Sequence, residues 1–365
     1  MRVLHLIPSF VGGGAERQLA LLAPELCRLG LQTHIGFVHP GVNLEQLRHT
    51  PVKLHQISCR GNHDPTILLR LLWTVRAIKP HIIQTWLPQM DVFGGLAAKL
   101  AGVPFVLSER SSAMAYPASW KNWLRKVVGG QATAIVANSE GGANYWQSRA
   151  RTGVLQVIRN GLAVDCIRAI NSADPAQVGL PPDVRLILFA GRLNPEKNIE
   201  TFLEALEGIL ESRPDCSALL FGEGPLRTSV LARIKGMKAC ARVQLLAFTD
   251  ELWSWMRRAS VFVSLSRFEG NPNTVLEAMA IGCPLVVSNI AAHREILDES
   301  MAHLCDGGSV SSVAAAIQSV LENSSAAATR AELACAHASE WSIAEAARQY
   351  IQLYKTLVLA SHRRT

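Results

Sequence analysis

Two glutamates and two cations carry the spacing of a site that holds an anion beside hydroxyl groups. Glu269 and Glu277 stand eight positions apart in the run FEGNPNTVLEAMAIGCPLVV, residues 268–287. An apolar strand over 260–264 leads into a loop with Glu269. A helix starting near Asn273 then places Glu277 about one turn inside it and stops at Gly282 and Pro284. A helix start offers unpaired backbone N–H groups and the positive end of the helix dipole. Asn273, Thr274 and Val275 can therefore hold a phosphate while the two carboxylates reach neighbouring hydroxyls. Phosphate beside sugar hydroxyls describes a nucleotide sugar. Two isolated glutamates would more often be solvated surface charges; the composite run is what favours a site.

The run FAGRLNPEKN, residues 189–198, adds the cations. A buried strand ends at Gly191, where the chain can turn closely past a ligand, and Arg192 and Lys197 follow. Cations at a helix start oppose the dipole and so ask for a reason. A planar guanidinium and a point-charge ammonium suit the clamping of a diphosphate whose charge grows as a glycosidic bond breaks. Gly222, Glu223 and Gly224 follow the strand over 217–221 and fit either an ordinary turn or the approach to a nucleoside. In the first half, Gly13 and Gly14 belong to a three-glycine loop between the first strand and helix, open to closing over a diphosphate or to being a plain turn.

The run over 268–287 resembles the signature of the retaining glycosyltransferases with two Rossmann-like domains, known as family 4 or group 1. The family pattern of two glutamates with seven residues between them is matched throughout, except that Leu285 replaces a valine. Arg192 and Lys197 are similar to the family's donor-phosphate motif, and NGLAVD at 160–165 to its hinge. The resemblance implies the GT-B fold, with Arg192, Lys197 and Glu269 catalytic and Gly13, Gly14, Gly191, Gly222, Glu223, Asn273, Thr274, Val275 and Glu277 binding the donor. It implies no cofactor, the nucleotide sugar being substrate. One segment departs from the pattern: many relatives place a histidine after the strand over 105–108, and none lies between His81 and His293. Glu109 and Arg110 stand there, as a sugar contact or as a surface ion pair.

Apolar β-type runs at 3–7, 33–38, 52–57, 82–85, 105–108, 134–137 and 155–158 alternate with amphipathic segments at 15–29, 66–78 and 92–100, and the alternation restarts at 185–190. This predicts an α/β protein of two Rossmann-like, doubly wound parallel-sheet domains with a cleft between them. The expected divisions are 1–160 on the acceptor side, 161–341 for the nucleotide sugar, with loose sequence up to Pro181 and Pro182, and a last helix in 342–365 that the resemblance returns to the first domain.

Charge is divided unevenly. Residues 1–160 hold 17 Lys and Arg against 7 Asp and Glu, whereas the remainder holds 19 against 22, so the first half should meet something anionic. Trp120, Trp123, Leu124 and Val127 fall at helical spacing with Lys121, Arg125 and Lys126 on the flank. That pattern suits a helix lying in an anionic membrane surface and equally one packed on its own domain. No Walker lysine motif, Asp-x-Asp pair or Cys/His cluster occurs, so neither an NTPase nor a metal site is expected. Eight scattered cysteines and a start that makes a poor signal peptide fit the cytoplasm, with the inner face of the membrane as a peripheral position.

The expectation is a metal-independent retaining hexosyl or N-acetylhexosaminyl transferase. It would use a UDP-linked sugar, a glycan or polyprenyl-diphosphate acceptor and no nucleic acid, in the synthesis of cell-surface polysaccharide. A nucleotide-sugar epimerase and a non-catalytic nucleotide-sugar binder are the rivals. An epimerase needs acid–base groups at the sugar ring, and the missing histidine weighs against it.

Overall fold

A computed structural model describes residues 1–59, 64, 66–111, 114, 116–148 and 153–362. Two compact units account for the chain: Met1–Gly161 with Trp341–Thr365, and Leu162–Glu340. Each is built on a wholly parallel sheet.

In the first unit, β1 (Arg2–Ser9), β2 (Gln32–His39), β3 (Lys53–Gln56), β4 (Ile82–Trp86), β5 (Phe105–Glu109), β6 (Ala134–Ala137) and β7 (Val154–Val157) lie in the order β3-β2-β1-β4-β5-β6-β7. The central strands are buried on both faces, which is why they read as unbroken apolar runs rather than alternating ones. Helices α1 (Gly14–Arg28), α2 (Thr66–Ile78), α3 (Leu87–Leu100), α4 (Trp120–Gly129) and α5 (Glu140–Gln147) connect them. One face is covered by α1, and the other by α2 through α5.

In the second unit, β8 (Arg185–Ala190), β9 (Cys216–Phe221), β10 (Val243–Leu246), β11 (Val261–Ser264), β12 (Leu285–Ser288) and β13 (His303–Cys305) run in the order β10-β9-β8-β11-β12-β13. The segment between the two sheets is less loose than its composition suggests, for it contains α6 (Val164–Ala169) and a 3-10 turn, Pro175–Val178. Helices α7 (Ile199–Ser212), α8 (Arg227–Lys235), α9 (Leu252–Arg258), α10 (Asn273–Ile281), α11 (Ala291–Arg294), α12 (Val310–Glu322) and α13 (Ser324–Ala338) complete the unit. On α7, Phe202, Leu203, Leu206, Ile209 and Leu210 recur at helical spacing and are buried; burial stabilises each by about 1.5–3 kcal/mol.

The last helix, α14 (Ile343–His362), packs on the first sheet beside α1, burying Tyr350, Leu353, Tyr354 and Leu357. Its two tyrosines need polar partners and find them in the middle of β4 and just after β5. Tyr354 donates to the Gln84 side chain, and the Tyr350 hydroxyl accepts from Arg110 Nη2 at 2.8 Å. At Gly161, a Cβ would come 2.6 Å from the Ile343 Cα, so the close approach of the two segments requires glycine.

Candidate functional site

In the second sheet the winding reverses between β8 and β11, which are hydrogen-bonded neighbours with Val263 opposite Phe189. Loops leaving two such strands diverge and open a crevice at their carboxyl ends. Both halves of the sequence signature emerge there. After β8, Gly191 and Arg192 run into a 3-10 turn, Pro195–Lys197, that ends on Asn198 in the left-handed conformation, φ 53°. Asparagine tolerates that conformation better than most side chains, and its amide fixes the turn. Nδ2 donates to the Gly307 carbonyl at 2.5 Å, and Oδ1 accepts from Thr201 at 3.0 Å and from Arg267 Nη2 at 3.2 Å.

Arg267, in the loop after β11, also donates its backbone N–H to the Glu196 carbonyl at 2.8 Å, tying the two loops together. The result is a contact between Lys197 Nζ and Glu269 Oε1, an oxygen that also accepts from Ser266 Oγ at 2.7 Å. The two side chains keep 20% and 15% of their surface exposed, so an anion could reach the ammonium. Behind them the polar chain is closed to solvent. Ser288 Oγ donates to the Ser266 carbonyl at 2.6 Å, and His293 Nδ1 lies 2.7 Å from the Ser288 carbonyl. Burial holds the His293 pKa below its ordinary value, so the ring is neutral and braces the loop by donating from Nδ1.

The glycines are needed where loops cross. A Cβ on Gly222 would lie 2.1 Å from the Gly191 carbonyl oxygen, and Gly224 adopts φ 153° against Leu193. The Leu193 N–H donates to the Glu223 carbonyl at 2.8 Å, and the Gly222 N–H to the Leu246 carbonyl at 3.0 Å. Three strand ends are thereby locked into one rim. On it Arg192 is exposed, and Glu223 is 55% exposed beside Arg227, 3.5 Å away.

Glu277 is buried in α10, where Oε2 accepts from Trp253 Nε1 at 3.0 Å. One expectation fails in detail. The Val275 N–H donates to the Pro272 carbonyl at 3.0 Å, because the chain enters α10 through a tight turn, so Val275 is not an open anion donor. Sequence reading also missed Asn198, Ser266, Arg267, Trp253 and Asn271. The last is buried, yet neither polar atom of its amide has a partner. Of these, only Asn198 carried a local signal, as a residue type that favours a left-handed helix entry.

In the first unit, Gly12 takes φ 145° and Gly13 caps α1. The Glu16 carboxylate fills the space where a Gly13 Cβ would be, 2.1 Å from that position, and accepts from Ser9 Oγ at 3.2 Å. Glu109 and Arg110 need correction. They are neither a surface ion pair nor, for Glu109, an accessible contact. Glu109 is fully buried and accepts from Arg125 Nη2 at 2.9 Å, Trp146 Nε1 at 2.8 Å, Tyr116 at 2.6 Å and the Ser111 N–H at 2.9 Å. Arg110 turns the other way, 4.0 Å above the Trp86 ring and bonded to Asn160 and Tyr350, where it fastens α14.

Arg125 is likewise not on an exposed flank. It is 1% exposed and bridges Glu109 and Asp91, with Asp91 Oδ2 at 2.7 Å. Burial raises the Asp91 pKa to about 6 against the opposing pull of Arg125. On the same helix Trp120, Trp123 and Val127 are 68%, 64% and 42% exposed, whereas Leu124 packs with Val128 on the core of its own unit, so the stripe is divided between the two readings. Among the described residues, no group of three or more His, Cys, Asp or Glu could hold a metal ion, and no helix is long and apolar enough to cross a membrane.

Comparison with known proteins agrees with this architecture. Residues 12–165 match Glycosyltransferase Family 4 and residues 171–335 match Glycosyl transferases group 1. The chain is 28% identical to the Escherichia coli UDP-Gal:alpha-D-GlcNAc-diphosphoundecaprenol alpha-1,3-galactosyltransferase over 62% of each chain. It is 26% identical to the phosphatidyl-myo-inositol mannosyltransferase of Mycobacterium leprae over 88% of each. The structure of Anabaena HepE in complex with UDP and glucose superposes with a TM-score of 0.87 at 19% identity, covering 98% of this chain and 100% of that one. With both halves matched, the chain belongs to the group 1, family 4 glycosyltransferases, and its fold is GT-B.

Proposed function

We propose that the protein transfers a hexosyl or N-acetylhexosaminyl group from a UDP-linked donor to a lipid-diphosphate or glycan acceptor, with retention of configuration and without a metal. The observation that carries this reading is the partly exposed Lys197–Glu269 contact at the β8/β11 reversal, beside the start of α10. A donor diphosphate competes with Glu269 for the Lys197 ammonium. Once displaced, the carboxylate can accept from a sugar hydroxyl while Ser266 still holds it in place. Arg192 and the N–H groups at the start of α10 take the remaining phosphate charge, and Glu277, oriented by Trp253, accepts from ribose.

As the C1–O bond to the diphosphate breaks, the acceptor oxygen bonds to C1 from the same face and its proton passes to a phosphate oxygen. The protein supplies positioning and leaving-group stabilisation rather than a proton-transfer residue. The donor and acceptor named for the E. coli relative, a UDP-sugar and a diphosphoundecaprenol lipid, support this choice of substrate class.

A lipid acceptor has to be met at a bilayer, and the surface of the first unit suits an anionic one. Between residues 66 and 129 the only acids are Asp91 and Glu109, both buried, so Arg76, Lys79, Lys99 and Lys121 are exposed with no surface carboxylate among them. Trp73, Trp120 and Trp123 are exposed in the same stretch. The test is incubation of the purified protein with a panel of UDP-sugars in EDTA. Slow release of free sugar and UDP from one of them is expected. Absence of turnover in EDTA, restored by Mg²⁺ or Mn²⁺, overturns the metal-free mechanism, and binding without any release favours a non-catalytic binder.

A further inference from the structure

The amino ends of β1, β2 and β3 meet the side of α2 around a cavity of about 650 Å³. Its polar lining includes Arg2 from β1, Gln32 and His34 from β2, and Lys53 and His55 from β3, and Trp73 of α2 forms part of its wall. Among the described residues, no carboxylate lines it. Parallel strands bring these groups together: Arg2 pairs with Gln32, and His34 with Lys53. Since β1 leads away from this end toward the three-glycine loop, and eight strand residues rise roughly 26 Å, the cavity lies at the opposite end of the sheet from that loop.

Four potentially cationic side chains around one cavity repel one another, and the structure shows how they are held. Arg2 Nε donates to the carbonyl of Lys79 at 3.0 Å, which fixes the guanidinium at the rim. Lys79 is itself in the left-handed conformation, φ 51°, at the end of α2. His34 and His55 stack with ring centroids 5.2 Å apart, and His34 Nδ1 lies 3.0 Å from His55 Nε2. The other ring nitrogen of His34, Nε2, has no partner although the residue is only 6% exposed. A buried ring nitrogen without a partner is costly. If His55 Nε2 donates to His34 Nδ1, the remaining His34 proton sits on Nε2 as an unused donor.

We propose that this cavity is a binding site for a phosphate-bearing group, held by the Arg2 guanidinium and the Lys53 ammonium with the stacked His34 and His55 rings beside them, and separate from the sugar-transfer site. Burial lowers the His34 pKa to about 4, with the charges of His55, Lys53 and Arg2 adding to it, and burial followed by Lys53 lowers that of His55. A bound dianion opposes the repulsive part, so binding raises both pKa values and takes up protons. The ligand can be the headgroup of an anionic lipid or a soluble phosphate compound.

The test is a pH titration of the His34 and His55 ring signals by NMR in the intact protein, in inorganic phosphate and in chloride at equal ionic strength. The site predicts upward shifts of at least half a unit in phosphate, lost in Lys53→Ser, a substitution at an exposed position. Sedimentation with phosphatidylcholine vesicles containing phosphatidic acid then separates the sources. A fall of threefold or more in Lys53→Ser, but not in Arg48→Ser, identifies a lipid headgroup. Unchanged sedimentation with the histidine shift retained identifies a soluble phosphate compound. Identical histidine titrations in the two salts, together with vesicle binding that Lys53→Ser and Arg48→Ser alter equally or not at all, overturn the proposal.

Discussion

The two units each contain a cation held by carboxylate near the end of a sheet, and the difference that matters between the two arrangements is access. In the first, Arg125 is sealed between Asp91 and Glu109, all three at most 1% exposed, with its guanidinium 4.5 Å over Tyr116 and 5.3 Å from Trp146. In the second, Lys197 and Glu269 keep a fifth and a seventh of their surface. A sealed pair cannot exchange its partner for a ligand, and breaking it leaves a buried charge uncompensated. An open pair can trade its partner, and its Coulomb energy is screened enough that losing it costs little stability. Similar side-chain chemistry thus serves architecture in one place and, on the proposed function, donor binding in the other.

The sharpest way to break this contrast is Arg125→Met. It should cost about 3–5 kcal/mol of stability at pH 7, read by urea unfolding. Asp91 already has a folded-state pKa raised to about 6, above its ordinary 3.8, so protonation favours the folded form. That contribution is complete below the ordinary value and is lost as pH rises through the folded one. Removing the cation raises the pKa further, and part of the loss should return at pH 5. A variant as stable as the parent at pH 7 would dissolve the distinction.

Glu269→Gln should do the reverse in the open pair. Ser266 can still donate to the amide oxygen, so stability should change by less than about 1 kcal/mol. Donor turnover should fall by roughly 10²-fold, because the sugar loses a charged acceptor. A third prediction concerns acid. His5 is fully buried, accepts from Trp86 Nε1 at 3.2 Å, and has its pKa lowered to about 3, by burial first and Arg110 second. A depressed histidine contributes stability that is complete above its unfolded pKa, about 6.5, and lost as pH falls toward about 3. The slope is up to about 1.4 kcal/mol per pH unit for each such group. His5→Asn keeps an acceptor for Trp86 and should lower the slope between pH 6 and 4 by up to one proton; equal slopes would show that His5 does not titrate on unfolding.

The smallest effect is expected at the surface. Lys121→Glu with Lys126→Glu leaves buried Arg125 intact and should weaken sedimentation with anionic vesicles about tenfold or more, at roughly 1 kcal/mol for each cation near the surface. Binding that is insensitive to this change and to salt would mean that the tryptophan face of α4 meets something other than an anionic bilayer.

What the sequence made legible follows the same division. The open site is written in two short local runs, each a strand end, a tight loop and a helix start, so residue type and spacing place Gly191, Lys197, Glu269 and Glu277 without knowledge of distant contacts. The sealed cluster is assembled from chain positions far apart. Glu109 meets Arg125 and Trp146, and Arg110 meets Tyr350, 240 positions away. Nothing local told Arg125 from Lys121 and Lys126, although one is enclosed and the others reach the surface. Parallel winding was readable because continuous apolar strands alternating with helices require it. The Val275 N–H bond to Pro272 was not, because it depends on the dihedral angles with which the chain enters α10.

The central claim is that Lys197 serves the leaving diphosphate and not the fold. Its most direct test is the rate of UDP release from the preferred UDP-sugar by Lys197→Ala beside the parent, with the thermal midpoint of each recorded on the same samples. The account predicts a rate lower by roughly 10²-fold or more with a midpoint within a few degrees of the parent. A near-parental rate in a well-folded variant would contradict it.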